Sequence, residues 1–225
     1  MKYRRVLIVE KTPKLSRIEH NNSLKHLKNV VSMISPIQTH LENTETFCER
    51  LREAGFSIDA ISDRNVKPED SVQHDLCISM GGDGTFITAA HMIKNNRIPL
   101  LGINSDPSSS AGHLCSAAIH KETIVDDIDF IIDTLLNDAA EEFFRTRIST
   151  KIYTEEGALD HCQEFNTLNE ICLSEGNIGK ATSYLMKVDG ENLGKVKSSG
   201  ILVSTGTGST GWLYNARRAN YGAVE

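Results

Sequence analysis

The sequence predicts an α/β domain over residues 1–140, followed by a mainly β domain over residues 141–225. Short apolar runs alternate with helical periodicity in the first part, whereas turn residues separate strand-like segments in the second. Of the 225 residues, 39% are hydrophobic and 24% charged, which is typical of a folded globular protein. We therefore expect a folded chain with a substantial core.

The first domain begins with a continuous apolar run at residues 6–9, as expected for a strand buried on both faces of a parallel sheet. A helix is predicted from Thr44, as its cap, to Ala54, with Gly55 as a left-handed stop. The next predicted elements are a strand at 56–61, a strand at 76–80, a helix at 85–94 and a strand at 99–103. This alternation predicts a Rossmann-like domain.

A Ser/Pro-rich connector at 104–110 precedes an amphipathic helix through residues 124–136. Beyond it, the predicted elements are strands at 143–153, 165–174, 182–188 and 201–205, with Gly, Asn and Asp turns between them. The second domain is therefore expected to be sandwich-like.

Charge and composition narrow the function classes. The net charge of −6 disfavours a nucleic-acid partner, although small anionic ligands remain possible. No apolar run reaches the roughly 18–20 residues of a membrane span, so no membrane partner is expected. The five cysteines form no CxxC pair, which suits a reducing compartment, and no presequence is visible before the first strand.

The segment Gly81-Gly82-Asp83-Gly84-Thr85 joins a predicted strand to a helix start. Unpaired N–H groups and the helix dipole favour an anion there, and open α/β sheets bind ligands at the carboxyl ends of their strands. A plain tight turn is the alternative. A carboxylate beside a phosphate would repel it unless the carboxylate holds a metal or accepts a proton, so Asp83 is the candidate catalytic base.

Two further segments are candidate ligand contacts. Residues 204–212, Ser-Thr-Gly-Thr-Gly-Ser-Thr-Gly-Trp, follow a predicted strand and form either a second phosphate or ribose cradle or a flexible linker. Asn169 and Glu170 lie inside an apolar predicted strand, where they need polar partners. A ribose diol would satisfy both side chains; a solvent-exposed strand end is the alternative.

Zinc is disfavoured. His113 with Cys115, and His161 with Cys162, have no companion ligands at metal-site spacing. We expect no protein-held metal.

Together these segments resemble the NAD kinase family. The match runs in the family's order through Gly81–Thr85, Leu101–Asn104, Leu168–Glu170 and Thr205–Thr210. The first motif is shared with diacylglycerol and sphingosine kinases, whereas the last two favour NAD kinase. Asn104-Ser-Asp-Pro107 and Lys197-Ser-Ser-Gly200 resemble the mitochondrial branch of eukaryotic NAD kinases. Ser199 stands where most members have Asp, and Gly206 where most have Pro.

The resemblance implies transfer of a phosphoryl group from ATP, with Mg²⁺, to the 2′-hydroxyl of the adenosine ribose of NAD, bound between the two domains. Asp83 then corresponds to the proton acceptor, Gly84 to its NAD-binding neighbour, and Asn169 and Glu170 to ribose contacts. Lys180 corresponds to a cationic contact. The remaining implied contacts are Gly81, Gly82 and Thr85 in the first loop and Thr207, Gly208, Ser209, Thr210, Gly211 and Trp212 in the second.

Two rival functions stay open at this point: a lipid kinase using the same first loop, and a catalytically silent NAD-binding variant. The sequence leaves open ATP or polyphosphate as donor and NAD or NADH as acceptor. The resemblance implies a mitochondrial location, or a cytoplasmic one if no presequence lies upstream. Because relatives continue past the second loop, we expect an incomplete β-rich domain and a chain that is weakly stable or inactive alone. We also expect it to associate as a homo-oligomer, such as a dimer.

Overall fold

The computed structural model describes residues 2–13, 30–154, 157–158, 165–177 and 179–221. The chain divides into two compact units, Met1–Phe143 and Phe144–Glu225. The first unit is α/β and the second is mostly β, which confirms the predicted fold class.

The first unit is built on a five-stranded parallel sheet with strand order β2-β1-β3-β4-β5. Its strands are β1 Arg5–Glu10, β2 Ser57–Ser62, β3 Leu76–Met80, β4 Leu100–Asn104 and β5 Ala117–Ala118. The chain leaves β1 for one neighbour, β2, and then crosses to the other, β3. This reversal makes the β1/β3 gap the topological switch point, where open α/β sheets bind ligands.

The helices of this unit are α1 Val30–Glu53, α2 Asp83–Met92 and α3 Ile124–Leu136. Alternate residues of β1 explain their placement, because a strand buried on both faces feeds two cores. Val6 and Ile8 pack with α1 and α3 in one core, whereas Leu7 and Val9 pack with α2 in the other. All four side chains are buried.

The start of α1 corrects the sequence prediction. Thr44 does not cap the helix but lies inside it and is buried, and the helix contains Pro36. The end of the helix is as predicted, since Gly55 has φ of +91°.

The second unit pairs its described strands two by two. The antiparallel pairs are β6 Ile148–Thr150 with β9 Phe165–Thr167, β7 Tyr153–Thr154 with β8 Gly157–Ala158, β10 Glu170–Ser174 with β13 Gly200–Ser204, and β11 Thr182–Val188 with β12 Glu191–Ser198. Helix α4, Trp212–Tyr221, follows.

The described strands of this unit differ from the prediction in three places, the first being a break at Leu168 and Asn169 that divides the expected strand 165–174 into β9 and β10. Residues 139–147 form no strand, so the expected element at 143–153 is reduced to β6 and the short β7. Strand β12 was missed. It pairs with β11 through a turn in which Asp189 and Gly190 both have positive φ. No helix in the described part of the chain is both long and apolar enough to cross a membrane.

Candidate functional site

The segment Gly81–Thr85 lies at the switch point of the sheet. Strand β3 is buried along its whole length and ends at Met80. Two main-chain hydrogen bonds hold the end of β3 to its neighbouring strands. Lys11 N–H donates to Met80 O at 3.0 Å, and Gly81 N–H donates to Ile103 O at 3.0 Å. The loop is therefore fixed between the ends of β1 and β4.

The glycines of this loop have different physical roles. A Cβ at Gly81 would lie 2.5 Å from Thr85 Oγ1 and 3.0 Å from the Lys11 side chain, so packing requires glycine there. A Cβ at Gly82 would lie 3.0 Å from Ser110 Oγ, whereas one at Gly84 would meet nothing within 4 Å. Nothing in the described protein therefore requires glycine at position 84, which is exposed in the first turn of α2.

Asp83 is the first residue of α2 and is half-buried. Its Oδ1 accepts the backbone N–H of Leu114 at 2.8 Å. Within the described residues no hydrogen bond reaches its Oδ2. The carboxylate thus has one anchored oxygen and one available oxygen at a helix N-terminus, as a proton acceptor beside an anion site requires.

The segment from Asn104 to Cys115 supports this anchor. Asn104 Nδ2 donates to Ser110 O at 2.9 Å, and its Oδ1 accepts Asp106 N–H at 3.2 Å. Gly112 has φ of +61°, and a Cβ there would lie 2.5 Å from Asn104 Nδ2. The buried side chain of Asn104 therefore shapes the loop that presents Leu114.

Thr85 was predicted as a ligand contact, but only 4% of it is exposed. Its position against Gly81 indicates a packing role in the free protein. Gly81 is also buried, so Gly82 and Gly84 are the more accessible glycines of this loop.

Sequence reasoning missed a buried polar cluster on α1. His40 Nδ1 lies 2.7 Å from Ser105 Oγ, and its Nε2 lies 3.1 Å from Lys11 O. Asn43 Nδ2 donates to Ser105 O at 2.9 Å. Burial lowers the pKa of His40. Extending the helical spacing of Phe47 backwards would have placed His40 and Asn43 on the buried face.

In the second unit, the two other predicted segments come together. Thr205 N–H donates to Asn169 O at 2.8 Å, and Thr205 Oγ1 donates to Leu168 O at 2.6 Å. Thr205 Oγ1 also accepts Gly208 N–H at 3.1 Å. A Cβ at Gly208 would lie 2.4 Å from Asn169 O, so the Gly-rich loop packs directly on the Asn169 main chain.

Asn169 and Glu170 carry unpartnered polar atoms. The sequence placed both inside one strand, but Asn169 lies in the break before β10 and Glu170 begins that strand. Within the described residues, the buried atoms Asn169 Oδ1 and Glu170 Oε2 have no hydrogen-bond partner. Such atoms cost free energy unless a ligand or water satisfies them.

The rest of the second loop is open. Ser209, Thr210, Gly211 and Trp212 are exposed, with Trp212 at 48%, whereas Gly208 is buried. Arg145 Nη1 donates to Thr207 Oγ1 at 3.3 Å. The loop 207–212 is thus held in place at its start by Thr207 and Gly208. The rest of it presents accessible hydroxyl groups and an aromatic ring.

Lys180 lies in an exposed turn, where its N–H donates to Asn177 O at 2.9 Å. Among the described residues, no hydrogen bond or ion pair joins it to Asn169, Glu170 or the Gly-rich loop. The structure therefore does not bring Lys180 into the cluster.

The described residues contain no group of three His, Cys, Asp or Glu side chains that could hold a metal ion. His113 is exposed and Cys115 half-buried, whereas His161 and Cys162 lie outside the described residues. Cys115 Sγ lies 3.6 Å from Gly81 O, and burial, with a smaller contribution from Asp83, raises its pKa to about 11.

Apart from the buried His40 cluster, each unit therefore carries, among its described residues, one polar cluster that a ligand could contact. The first offers a helix N-terminus with an anchored carboxylate, which suits an anion and a proton transfer. The second offers unpartnered buried acceptors beside a Gly-rich loop, which suit a ligand rich in hydroxyl groups.

Comparisons with curated proteins give relatives over most of the chain. NAD kinase 2, mitochondrial, is 26% identical in Rattus norvegicus and 27% identical in Homo sapiens, and each match covers 83% of this chain. A NAD kinase of Geobacter sulfurreducens is 28% identical over 68% of this chain. These matches cover 51%, 49% and 50% of the relatives, so the chain spans about half their length.

Solved structures agree in fold. An NAD kinase from Archaeoglobus fulgidus in complex with ATP has a TM-score of 0.57 at 22% identity, covering 94% of this chain and 65% of that one. Yeast NADH kinase complexed with NADH has a TM-score of 0.66 at 19% identity, covering 95% of this chain and 57% of that one.

Two family models match in sequence order. Residues 7–137 match the ATP-NAD kinase N-terminal domain, and residues 168–217 match the ATP-NAD kinase C-terminal domain. The first match alone covers more than half of the chain, and together they include both polar clusters. The chain belongs to the ATP-NAD kinase family.

Proposed function

We propose that this protein is an NAD kinase, which transfers the terminal phosphoryl group of ATP to the 2′-hydroxyl of the adenosine ribose of NAD. The observation that carries the proposal is the Gly81–Thr85 loop, with the Asp83 carboxylate anchored at the start of α2. The names of the mitochondrial and bacterial relatives support the same activity.

Asp83 is the proposed catalytic base. A ribose hydroxyl is a poor nucleophile, so Oδ2 would accept its proton as the hydroxyl oxygen bonds to the γ-phosphorus. The bond from that phosphorus to the bridging oxygen then breaks, which releases ADP. The Leu114 N–H on Oδ1 would hold the carboxylate in one orientation during this transfer.

Gly82 and Gly84 are the proposed points of close approach for the nucleotide. Gly84 leaves open space at the first turn of α2, where free N–H groups and the helix dipole favour phosphate. Gly81 and Thr85 would support that turn by packing against each other.

The second cluster is proposed to bind NAD. Asn169 Oδ1 and Glu170 Oε2 would accept hydrogen bonds from ribose hydroxyls, which would satisfy both buried atoms. Thr207–Trp212 would hold the rest of the dinucleotide, with Ser209 and Thr210 offering hydroxyl groups and Trp212 a ring for stacking. Lys180 is retained as a weaker proposal for a cationic contact.

Mg²⁺ is proposed to arrive on the phosphates of ATP. No group of three His, Cys, Asp or Glu side chains that could hold a metal ion gathers among the described residues. The residues of this chain would contribute orientation, a base and an anion site around the metal-bound donor.

Oligomeric state and location are further proposals. Homo-oligomer formation is supported by exposed apolar side chains in the second unit, including Leu185 at 80% and Phe144 at 82% exposure. A mitochondrial location is supported by the mitochondrial relatives.

A side-by-side assay with γ-labelled ATP and Mg²⁺ tests the activity. NAD, NADH, a diacylglycerol and a sphingoid base serve as acceptors under identical conditions. We expect label in NADP or NADPH and none in lipid. Labelled lipid would replace the proposal with a lipid kinase, and calorimetric NAD binding without labelled product from ATP or polyphosphate would replace it with a silent NAD-binding protein.

A further inference from the structure

The buried histidine of α1 contacts two separate loops. His40 is 2% exposed, and its two ring nitrogens face Ser105 Oγ and Lys11 O. Thr44 Oγ1, one turn along the same helix, also lies 3.4 Å from Nδ1. Lys11 O can only accept a hydrogen bond, so Nε2 carries the proton. Nδ1 of the neutral ring is then an acceptor, and the Ser105 hydroxyl donates to it.

Ser105 is held through both of its oxygen atoms. Its hydroxyl bonds to His40, and its carbonyl accepts Asn43 Nδ2 at 2.9 Å. His40 and Asn43 lie three residues apart on the same face of α1. Both hydrogen bonds to Ser105 therefore come from one rigid helix, which fixes its position. Ser105 itself is 1% exposed and directly follows β4.

Ser105 begins the loop whose Leu114 N–H anchors Asp83, the proposed catalytic base. Asn104, next to Ser105, bonds to Ser110 O and contacts the position of Gly112. From there the chain reaches Leu114, whose N–H donates to Asp83 Oδ1. A displacement of Ser105 would therefore move the loop 104–114, which is held together by its own hydrogen bonds, and with it the Leu114 N–H on Asp83.

The second contact of His40, with Lys11 O, lies on the other side of the Gly81–Thr85 loop. Lys11 N–H donates to Met80 O, and the Lys11 side chain abuts the position of Gly81. One imidazole thus holds the chain on both sides of the segment that carries Asp83.

We propose that His40 is a positioning residue for Asp83, which holds Ser105 and Lys11 so that the Leu114 N–H stays on Asp83 Oδ1. Its effect on catalysis rests on the proposed phosphoryl transfer, whereas its effect on the loop does not. His40 touches neither substrate in this account and acts only through the loop.

The test uses matched variants of the full chain. His40→Ala removes the contacts with Ser105 and Lys11 and the longer one with Thr44. Ser105→Ala removes only the Ser105 hydroxyl contact, with a smaller change in volume. His40→Asn places an amide oxygen near the Nδ1 position and should restore the Ser105 contact. His74→Ala is the control, because the His74 side chain is also buried and bonds to Asp70 O and Asp59, away from this loop.

The first readout is amide hydrogen exchange without substrates. We expect exchange of the Leu114 N–H to rise about tenfold in His40→Ala and Ser105→Ala, and to stay near wild type in His74→Ala. His40→Asn should rise less than His40→Ala, because it keeps the Ser105 contact but loses the Lys11 contact. Unchanged Leu114 exchange in a folded His40→Ala protein would overturn the proposal; if that variant does not fold, the Ser105→Ala result decides.

The second readout is kinetic. We expect kcat for NADP formation to fall roughly tenfold in His40→Ala with KM for NAD within about twofold, and to recover in part in His40→Asn, which restores only the Ser105 contact. A loss no larger than that of His74→Ala would overturn the positioning role. If the wild-type chain forms no NADP, the proposed function fails, and amide exchange alone decides the structural claim.

Discussion

Gly208 packs directly on the main chain of Asn169, where an added Cβ would lie 2.4 Å from the carbonyl oxygen. Backbone cannot yield as a flexible side chain can, so Gly208→Ala must displace the Gly-rich loop or the Asn169 segment. We expect a loss of about 1–3 kcal/mol in the free energy of unfolding, measured by urea denaturation.

Gly206→Ala is the matched control for this change. Gly206 lies in the same loop, and a Cβ there would meet nothing within 4 Å. Its free energy of unfolding should stay within about 0.5 kcal/mol of wild type. Equal stability of the two variants would contradict the described packing of Gly208.

Gly84→Ala should separate stability from nucleotide binding. Alanine favours helix over glycine by up to about 1 kcal/mol, and position 84 has open space, so the free protein should be as stable as wild type or more stable. The added methyl group would occupy the space proposed for phosphate, so calorimetry should show at least about tenfold weaker ATP binding.

Gly81→Ala provides the contrast within the same loop. Its Cβ would lie 2.5 Å from Thr85 Oγ1, so this variant should lose stability, as read by thermal unfolding. Undiminished ATP binding by Gly84→Ala would argue against close approach of phosphate at position 84.

Asn169→Leu should weaken NAD binding without weakening the fold. Asn169 Oδ1 is buried without a partner among the described residues, so an apolar side chain of similar shape removes a desolvation cost. We expect the free energy of unfolding within about 1 kcal/mol of wild type and NAD affinity at least roughly tenfold lower. Wild-type NAD affinity would show that this amide makes no contact with the dinucleotide.

His40 should make the protein less stable in mild acid. Burial lowers its pKa below the ordinary value of 6.5, so the unfolded chain takes up a proton before the folded chain does. The contribution of the neutral His40 ring to the free energy of unfolding is therefore fully present above pH 6.5 and is lost as the pH falls below 6.5. The charged groups near the ring are Lys11 after β1, Asp63 after β2 and Asp106 after β4; Lys11 opposes protonation and the aspartates favour it.

Urea denaturation at pH 7.5 and 5.5 measures this effect. The difference in stability between the two pH values should be smaller in His40→Asn than in wild type, because the variant lacks the titrating ring. An identical difference in both proteins would rule out His40 as a contributor.

The parts of the fold set by local pattern were predictable. Strand β3 and helix α3 have continuous apolar or amphipathic sequences, and both were predicted with their observed bounds or nearly so. Strand β12 has the sequence Glu-Asn-Leu-Gly-Lys-Val-Lys-Ser, which is poor in β-branched residues. Its structure comes from pairing with β11 across a tight turn.

The start of α1 could not be predicted from its sequence, because it depends on partners that are distant in the chain. His40 and Asn43 are buried because they bond to Ser105, which is 65 and 62 residues away in sequence. A polar pair and an internal proline suggest a loop when such distant partners are unknown. Phe143 and Phe144 misled in the opposite direction, since their apolar character suggested a strand but both side chains are exposed.

The candidate site shows the same division. Asp83 was recognisable from its place between glycines at a strand-to-helix turn, whereas its anchor, Leu114, lies 31 residues away and contributes only a backbone N–H. The packing of Gly208 on Asn169 was likewise invisible, because either segment alone is compatible with a simple turn or strand end.

Turnover of Asp83→Asn in a coupled assay of NADP formation, with NAD, ATP and Mg²⁺, tests the central claim most directly. Asparagine keeps an oxygen for the Leu114 N–H but is a far weaker base, so the fold and NAD binding should persist. We predict NADP formation by the wild-type chain, and in the variant a kcat at least about 100-fold lower with NAD affinity largely unchanged. Equal turnover of the two proteins would contradict the account and remove Asp83 from the chemistry.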